Sequence, residues 1–340
     1  MKRRRCSLAN HASGWWIGSD GSGQLTTHFR GDIASSQMGE GSLTIAVHFS
    51  ALNYKDALAL TGSPGVVRKP PLIPGIDLAG VVEESSEPGV PVGTRVVITG
   101  NGYGENRHGG LATRVVAEPH HVIPLPEGLS LEHAATIGTA GITAGLALSA
   151  LQTHGVTPDS SSLPIAVTGA AGGVGSLALA LLTEAGYTTV AITGRTDEAD
   201  YLSMLGANDV MSRQEFLSQP SRPLQSEQFA GAIDQAGGDM LARILASTVS
   251  NGVVAACGLA GGSDLPTTVL PFILRGVSLV GINSVFPPPE VRLDLWNGFA
   301  SANLPLDEIG QIIALDEALE NAPQVLAGLT RGRVVVKVAD

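Results

Sequence analysis

A short polar cluster, Asn53-Tyr54-Lys55-Asp56, interrupts an otherwise apolar run of the chain. The preceding segment, LTIAVHFSAL, alternates as a strand does, and the following segment has small apolar residues at helical spacing. Amide, phenol, ammonium and carboxylate groups can donate or accept hydrogen bonds, position a cofactor or transfer a proton. The cluster is therefore a candidate for chemistry at a strand-to-helix junction.

A second candidate is the stretch VTGAAGGVGS, in which Ala170, Gly172 and Gly175 occupy the three positions of a GxGxxG fingerprint. The stretch follows an apolar strand, opens a helix and precedes a second strand, which together form a βαβ unit. There Gly172 would let the backbone approach a pyrophosphate, and Gly175 would let the helix pack closely on the strand. Because a helix N-terminus also offers free N–H groups to phosphates, we predict a dinucleotide site.

The second strand of this unit ends at Thr193–Arg195, where an NAD-selective site usually has a carboxylate. Arg195 can pair with the 2′-phosphate of NADPH, and Arg213 is a candidate for a second phosphate contact. These residues favour NADPH. Asp197 and Glu198 follow slightly later and keep NAD as the alternative.

The pattern of elements changes at about residue 130. Short strands broken by Pro and Gly precede this point, and alternating helices and strands follow it, which is typical of a parallel sheet with right-handed crossovers. We predict a β-rich domain at 41–135 and 300–340 and a dinucleotide-binding domain at 136–299. We expect residues 1–40 to be an atypical segment, partly disordered.

Composition restricts the partners. At 340 residues the chain predicts two domains, and a formal net charge of −11 argues against nucleic acid and anionic membranes as partners.

The only cysteines, Cys6 and Cys257, are too far apart to indicate a disulfide framework, so we expect a cytoplasmic protein. Cys257 has no nearby base and is interpreted as a small core residue. The N-terminus lacks the apolar stretch of a signal peptide, and we identify no membrane span.

Two familiar dehydrogenase types do not fit the sequence. Short-chain enzymes need a Tyr-x-x-x-Lys pair after the glycine-rich loop, but neither Tyr187 nor Tyr201 has a lysine four positions later. Zinc-dependent alcohol dehydrogenases need cysteine ligands, and this chain has no cysteine between residues 7 and 256. We therefore expect no metal.

Several motifs together resemble the zinc-free quinone oxidoreductase branch of the medium-chain dehydrogenase/reductase superfamily, and more narrowly its acryloyl-CoA reductase group. They include NYKDALALTG, PLIPGIDLAGVV, TGNGYGENRHGGLA, VTGAAGGVGS and LPTTVLPFILRGVSLVGINSV, and the resemblance runs from about residue 43 to the end. It implies an α/β fold, with a Rossmann-type parallel sheet domain and a β-rich GroES-like catalytic domain that is a partly open barrel. It also implies a homodimer that pairs through the late strand VSLVGINSV.

The implied reaction is NADPH-dependent reduction of the C=C bond of an α,β-unsaturated acyl-CoA, with acryloyl-CoA to propionyl-CoA as the specific expectation. A general quinone or enone reductase and a non-catalytic NADPH-binding protein are the alternatives. The resemblance implies cofactor contacts at Tyr54, Ala171, Gly172, Gly173, Val174, Gly175, Thr193, Gly194, Arg195, Arg213, Leu259, Ile273 and Ser284.

The resemblance implies that Asn53 and Tyr54 occupy the position where zinc-dependent relatives have a metal ligand, and either can donate a hydrogen bond to a developing enolate. Water is the alternative proton donor. Asp77, the one charged residue in PGIDLAG, either orients Asn53, carries a proton or caps a turn. The coenzyme A phosphates need cationic partners, for which Arg275 ranks first among the candidates Arg68, Lys69, Arg107, Arg275 and Arg292.

Overall fold

The computed structural model describes residues 11–220 and 222–339. Its strands are β1 (His11–Ser19), β2 (Leu25–Ala34), β3 (Leu43–Ala51), β4 (Asp77–Ser85), β5 (Arg95–Thr99), β6 (Arg114–Ala117), β7 (Ile123–Pro124), β8 (Ile165–Thr168), β9 (Thr189–Thr193), β10 (Asp209–Ser212), β11 (Phe229–Asp234), β12 (Thr248–Ala256), β13 (Ser278–Gly281), β14 (Gly310–Ala314) and β15 (Arg333–Lys337). Its α-helices are α1 (Tyr54–Leu60), α2 (Leu131–Thr153), α3 (Gly173–Glu184), α4 (Ala199–Met204), α5 (Arg213–Ser218), α6 (Gly238–Ser247), α7 (Leu270–Arg275), α8 (Pro289–Ser301), α9 (Leu306–Ile309) and α10 (Ala318–Leu326).

The chain folds as two units. Unit 1 contains the described residues up to Thr139 and those from Gly310 onward, and unit 2 contains Ala140–Ile309. The sequence placed the boundaries at 135/136 and 299/300, and it treated the first forty residues as separate.

Unit 1 is built on a sheet with the strand order β14-β15-β3-β4-β5-β7. Strand β4 pairs with β3 over nearly its whole length, while β15 and β6 share the other edge of β3. All these pairs are antiparallel except β14 with β15. The buried faces meet in an apolar core that includes Leu43, Ile45, Leu78 and Ile98.

Residues 11–34 belong to the segment 1–40, which the sequence set apart as atypical and partly disordered. They form an antiparallel hairpin of β1 and β2, and Ile17 forms a bridge to Leu72. The indole of Trp15 lies in an apolar cluster with Leu52 and Leu315, and its Nε1–H donates to the Leu315 carbonyl at 2.7 Å. The hairpin is ordered because its apolar face closes this part of the core. The prediction for residues 1–10, including Cys6, lies outside the described residues.

Unit 2 contains a six-stranded, all-parallel sheet with the order β10-β9-β8-β11-β12-β13. From β8 the strands are added outward through β9 to β10, and from β11 they are added in the opposite direction through β12 to β13. The junction between β8 and β11 is therefore the topological switch point of a doubly wound fold. Apolar residues on the sheet, including Val190 and Val254, pack with Ile244 and Leu245 of α6. The predicted Rossmann-type parallel sheet is therefore confirmed.

Helix α2 is long and apolar enough to cross a membrane by composition alone. However, 78% of its most apolar window is buried within the fold, as is usual for the core helix of a soluble protein. The helix is also interrupted at Gly138, which has φ 45° and ψ −154°.

Candidate functional site

The polar cluster in unit 1 lies where the sequence placed it, between β3 and α1. Asn53 has an extended backbone and is the N-cap of α1, and Asp56 is the third residue of the helix. The Asp56 carboxylate accepts the backbone N–H of Asn53 at 2.9 Å, which is one half of a capping box. This contact fixes the entry of the chain into the helix and therefore the position of Tyr54.

Asp56 is buried but fully hydrogen-bonded. In addition to the Asn53 backbone, its carboxylate accepts the Asn53 side-chain amide at 2.9 Å and the backbone N–H groups of Gly75 and Ile76 at 3.1 and 2.9 Å. Burial raises the pKa of Asp56 to about 6; hydrogen bonds from Asn53 oppose this rise, and the charge of Asp77 adds to it. The carboxylate therefore carries a desolvation cost that its donors only partly offset.

Asp77 is also enclosed. Its Oδ1 accepts the backbone N–H and the hydroxyl of Thr139 at 2.9 and 2.5 Å, and its Oδ2 accepts Asn53 Nδ2 at 2.9 Å and Arg333 Nη2 at 3.2 Å. The Asp77 side chain is 1% exposed. Of the three roles considered from the sequence, this geometry favours orienting Asn53, because the carboxylate is occupied by internal donors.

Arg333, at the start of β15, closes the cluster and was not identified from the sequence. Its Nη1 donates to Asn53 Oδ1 at 2.8 Å, and its Nε donates to the Thr136 carbonyl at 3.0 Å. Burial lowers the pKa of Arg333, while the charges of Asp77 and Asp56 raise it. The only signal in the sequence was a charged residue at the head of the apolar strand RVVVK.

These contacts indicate different roles for Asn53, Tyr54 and Lys55. Both amide hydrogens of Asn53 are directed at Asp56 and Asp77, so the Asn53 amide is engaged within the protein. Lys55 forms an ion pair with Glu105 at 2.6 Å. Tyr54 is 47% exposed, and its hydroxyl makes no hydrogen bond among the described residues. Tyr54 is therefore the member of the cluster that can reach a ligand.

The raised pKa of Asp56 predicts how the stability of the protein depends on pH. Between its ordinary pKa of 3.8 and a folded pKa of about 6, Asp56 holds more protons in the folded than in the unfolded state. Its contribution to stability is therefore present below pH 4 and is lost as the pH rises through 6, a loss of about 3 kcal/mol. The Asp56→Asn variant cannot titrate there, so we expect its free energy of unfolding to rise relative to wild type by that amount from pH 4 to 7. Urea unfolding across this range measures the difference, and a constant difference would contradict the assignment.

In unit 2 the glycine-rich loop joins β8 to α3. Gly172 is the N-cap of α3, and Gly173 and Val174 form its first turn, so their N–H groups point out of the helix end. A Cβ atom placed on Gly175 would lie 2.5 Å from the Gly169 carbonyl oxygen, so only glycine allows this close approach of helix and loop. The local geometry is that of a phosphate-binding turn.

Two arginines lie together beyond the ends of β9 and β10. Arg195 donates from Nη2 to the Ala171 carbonyl at 3.0 Å and lies 3.8 Å from Glu198. Arg213 packs on Gly194, where a Cβ atom would lie 2.8 Å from its Nη2. Arg213 is exposed and makes no ion pair among the described residues. Arg195 thus connects the end of β9 to the phosphate loop, and the buried Thr193 hydroxyl accepts the Arg195 backbone N–H at 3.0 Å.

The remaining predicted cofactor residues lie at or after the later strands of unit 2. Leu259 and Ile273 are 63% and 67% exposed, and Ser284 is partly exposed in the segment after β13. Cys257 donates its thiol to the Asp234 carbonyl, and burial raises its pKa to about 12, with a smaller contribution from Asp234. Cys257 is consequently a neutral structural thiol.

Arg275, which ranked first in the sequence for the substrate phosphates, has its guanidinium bonded to the protein itself. Its guanidinium donates to the carbonyls of Ala246 and Thr248 at 2.9 and 3.1 Å and to that of Gln225 at 2.5 Å. These bonds hold α7 against the end of α6, the start of β12 and the segment at Gln225, which favours a structural role for Arg275. Arg292 is likewise buried and donates to the Val285 carbonyl at 3.0 Å.

Within residues 11–220 and 222–339, no group of three or more His, Cys, Asp or Glu side chains is placed to hold a metal ion.

Comparisons with known proteins cover nearly the whole chain. Residues 39–127 match the alcohol dehydrogenase GroES-like domain, and residues 173–295 match the zinc-binding dehydrogenase domain. The acrylyl-CoA reductase AcuI of Ruegeria pomeroyi is 46% identical over 301 residues, which cover 88% of this chain and 90% of that protein.

Two solved structures share the fold at high similarity. YhdH of Escherichia coli K-12 with bound NADPH matches with a TM-score of 0.91 and 44% identity, covering 96% of this chain and all of that one. YhfP of Bacillus subtilis with bound NAD matches with a TM-score of 0.90 and 37% identity, covering 96% and 99% of the two chains.

Proposed function

The chain belongs to the quinone oxidoreductase branch of the medium-chain dehydrogenase/reductase superfamily, and from this premise we propose that it reduces the C=C bond of an α,β-unsaturated acyl-CoA with NADPH. The specific substrate proposed is acryloyl-CoA, which would yield propionyl-CoA. The observation that carries this proposal is the 46% identity, over 88% of the chain, to an acrylyl-CoA reductase.

The residues of unit 2 fit NADPH. The α3 N-terminus and the close turn at Gly175 suit a pyrophosphate, and the pair Arg195 and Arg213 supplies the positive charge that a 2′-phosphate requires. NADPH, when bound, supplies a hydride from C4 of its nicotinamide. NAD remains the alternative because the carboxylates of Asp197 and Glu198 follow the arginine, and because an NAD-bound relative shares the fold.

In unit 1 the proposed role of the chain is to stabilise and protonate the enolate that forms when the β-carbon of the substrate accepts hydride. Tyr54 is the proposed hydrogen-bond donor, because its hydroxyl is exposed and unpaired within the described part of the chain. Asn53, Asp77 and Arg333 are proposed to hold Tyr54 in place, since their mutual hydrogen bonds fix the start of α1. Water is the alternative proton donor.

We further propose that the enzyme uses no zinc and is a cytoplasmic homodimer. The absence of a ligand cluster among the described residues supports the first point, and metal analysis of the active enzyme tests it. Strand β13 is the edge of its sheet and adjoins the exposed apolar residues Ile273 and Leu274, which supports pairing with a second copy. A monomer in sedimentation velocity would contradict the dimer.

Oxidation of NADPH with acryloyl-CoA, with a simple quinone and without substrate tests the function. We expect acryloyl-CoA to be preferred, and Tyr54→Phe to lower kcat by about 10- to 100-fold, as is typical for the loss of one positioned donor. Leu58→Met, in the same helix, is the matched control and should have little effect. Unchanged kcat in Tyr54→Phe would assign protonation to water, turnover of quinone alone would favour a general quinone reductase, and no turnover would favour a non-catalytic NADPH-binding protein.

A further inference from the structure

Two neighbouring loops of unit 1 carry exposed positive charge beside α1. The first contains Arg68 and Lys69, and the second contains Arg107; all three side chains are exposed. The loops are joined by the Arg68 backbone N–H, which donates to the Glu105 carbonyl at 2.9 Å. A second backbone bond, from the Gly104 N–H to the Arg107 carbonyl at 2.8 Å, closes the second loop on itself.

The acidic groups of these two loops and of α1 are already neutralised or buried. Glu105 forms an ion pair with Lys55 at 2.6 Å, and its side chain is only 12% exposed. Asp56 is buried and accepts four internal hydrogen bonds. Arg68, Lys69 and Arg107 have no ion-pair or hydrogen-bonding side-chain partner within the described ranges. The charge that these loops present to solvent is therefore positive, on a protein with a net charge of −11.

Arg68, Lys69 and Arg107 together form a cationic patch, and a cationic patch on an acidic protein attracts anions. This patch is anchored to the helix that begins at Tyr54, because the same Glu105 binds Lys55 through its side chain and Arg68 through its carbonyl. An acyl-CoA has its reactive acyl group at one end of a long pantetheine arm and its phosphates at the other. A site that recognises both ends needs cations displaced from the reacting centre.

Resting on the proposed function, we propose that Arg68, Lys69 and Arg107 bind the phosphates of the coenzyme A moiety and so determine the preference for acyl-CoA over simple enones. The site takes a phosphorylated adenosine nucleotide and is distinct from the arginine pair in unit 2. Arg68 and Arg107 can each form bidentate contacts to phosphate, and Lys69 adds a point charge.

The double variant Arg68→Gln/Arg107→Gln tests the proposal, with Arg222→Gln/Arg331→Gln as a control that removes two other exposed arginines. We expect the first pair to raise KM for acryloyl-CoA by about 10- to 100-fold, since charge-assisted contacts to phosphate are lost, with little change in kcat or in KM for NADPH. Acryloyl-pantetheine, which lacks the nucleotide, should react equally with both variants and with wild type. Equal KM values for acryloyl-CoA in the two double variants would overturn the proposal.

A binding measurement separates this proposal from the proposed reaction. Calorimetry with coenzyme A, in saturating NADP⁺ to fill the unit 2 site, should show binding to wild type that Arg68→Gln/Arg107→Gln weakens and inorganic phosphate does not reproduce. If wild type binds coenzyme A in this way but does not turn over acryloyl-CoA, the reaction is wrong and the nucleotide site stands. If wild type turns over acryloyl-CoA but both double variants bind coenzyme A equally, the site is wrong and the reaction stands.

Discussion

Replacing both Arg195 and Arg213 with Gln is expected to lower kcat/KM for NADPH by about 100-fold or more and to leave kcat/KM for NADH nearly unchanged. A charge-assisted hydrogen bond to a phosphate is worth about 1.5–3 kcal/mol, and two of them together correspond to at least that factor. NADH has no 2′-phosphate, so it does not lose these contacts. Steady-state kinetics with each cofactor measure the change in preference.

Arg222→Gln is the matched control, because Arg222 is also an exposed arginine of unit 2. It should leave both cofactor constants as in wild type. An equal loss with NADPH and NADH in the double variant would mean that the arginines support the loop, through the bond from Arg195 to Ala171, rather than the phosphate. A wild-type enzyme that prefers NADH would assign selectivity to Asp197 and Glu198.

The second large effect is expected from Arg333→Met, which should lower the free energy of unfolding by about 3–5 kcal/mol. The substitution removes the only cation of the buried cluster and leaves the carboxylates of Asp56 and Asp77 without a counter-charge. It also removes the donor to Asn53 Oδ1. Urea denaturation at pH 7 measures the loss.

Arg331→Met, two residues earlier at an exposed position, should cost less than about 0.5 kcal/mol. Adding Asp77→Asn to Arg333→Met should recover part of the loss, because one of the two uncompensated charges is then removed. A full loss in Arg331→Met, or no recovery in the double variant, would show that packing of the arginine stem rather than charge stabilises this region.

The sequence predicted the parallel sheet of unit 2 well, because its signals are local. The apolar strand before Ala170, the glycine-rich turn and the helix after it are contiguous, and each supports the others. The strands of the β1–β2 hairpin were missed for the opposite reason. They contain several Gly, Ser and charged residues, and their stability comes from distant partners such as Leu72 and Leu315.

In the candidate site, too, residues with a local sequence signal were predicted and residues that depend on distant partners were not. Asn53, Tyr54 and Asp77 were recognised because each is polar within an apolar stretch. Arg333 was missed because it lies 280 residues from Asn53, and no local pattern relates them. The internal contacts of Arg275 were not foreseen because its partners are backbone carbonyls, which every residue has and which a sequence therefore cannot distinguish.

Unit 1 is built from two separate segments of the chain, and this affects the order in which the two units can fold. Unit 2 is one continuous segment, whereas the sheet of unit 1 is completed only by β14 and β15 at the end of the chain. A chain that leaves the ribosome from its N-terminus can therefore finish the second unit before the first. Until β15 is synthesised, half of one edge of β3 has no paired strand, and the carboxylates of Asp56 and Asp77 lack the counter-charge of Arg333. The residues that complete the site around the first helix are therefore made only after the whole of unit 2.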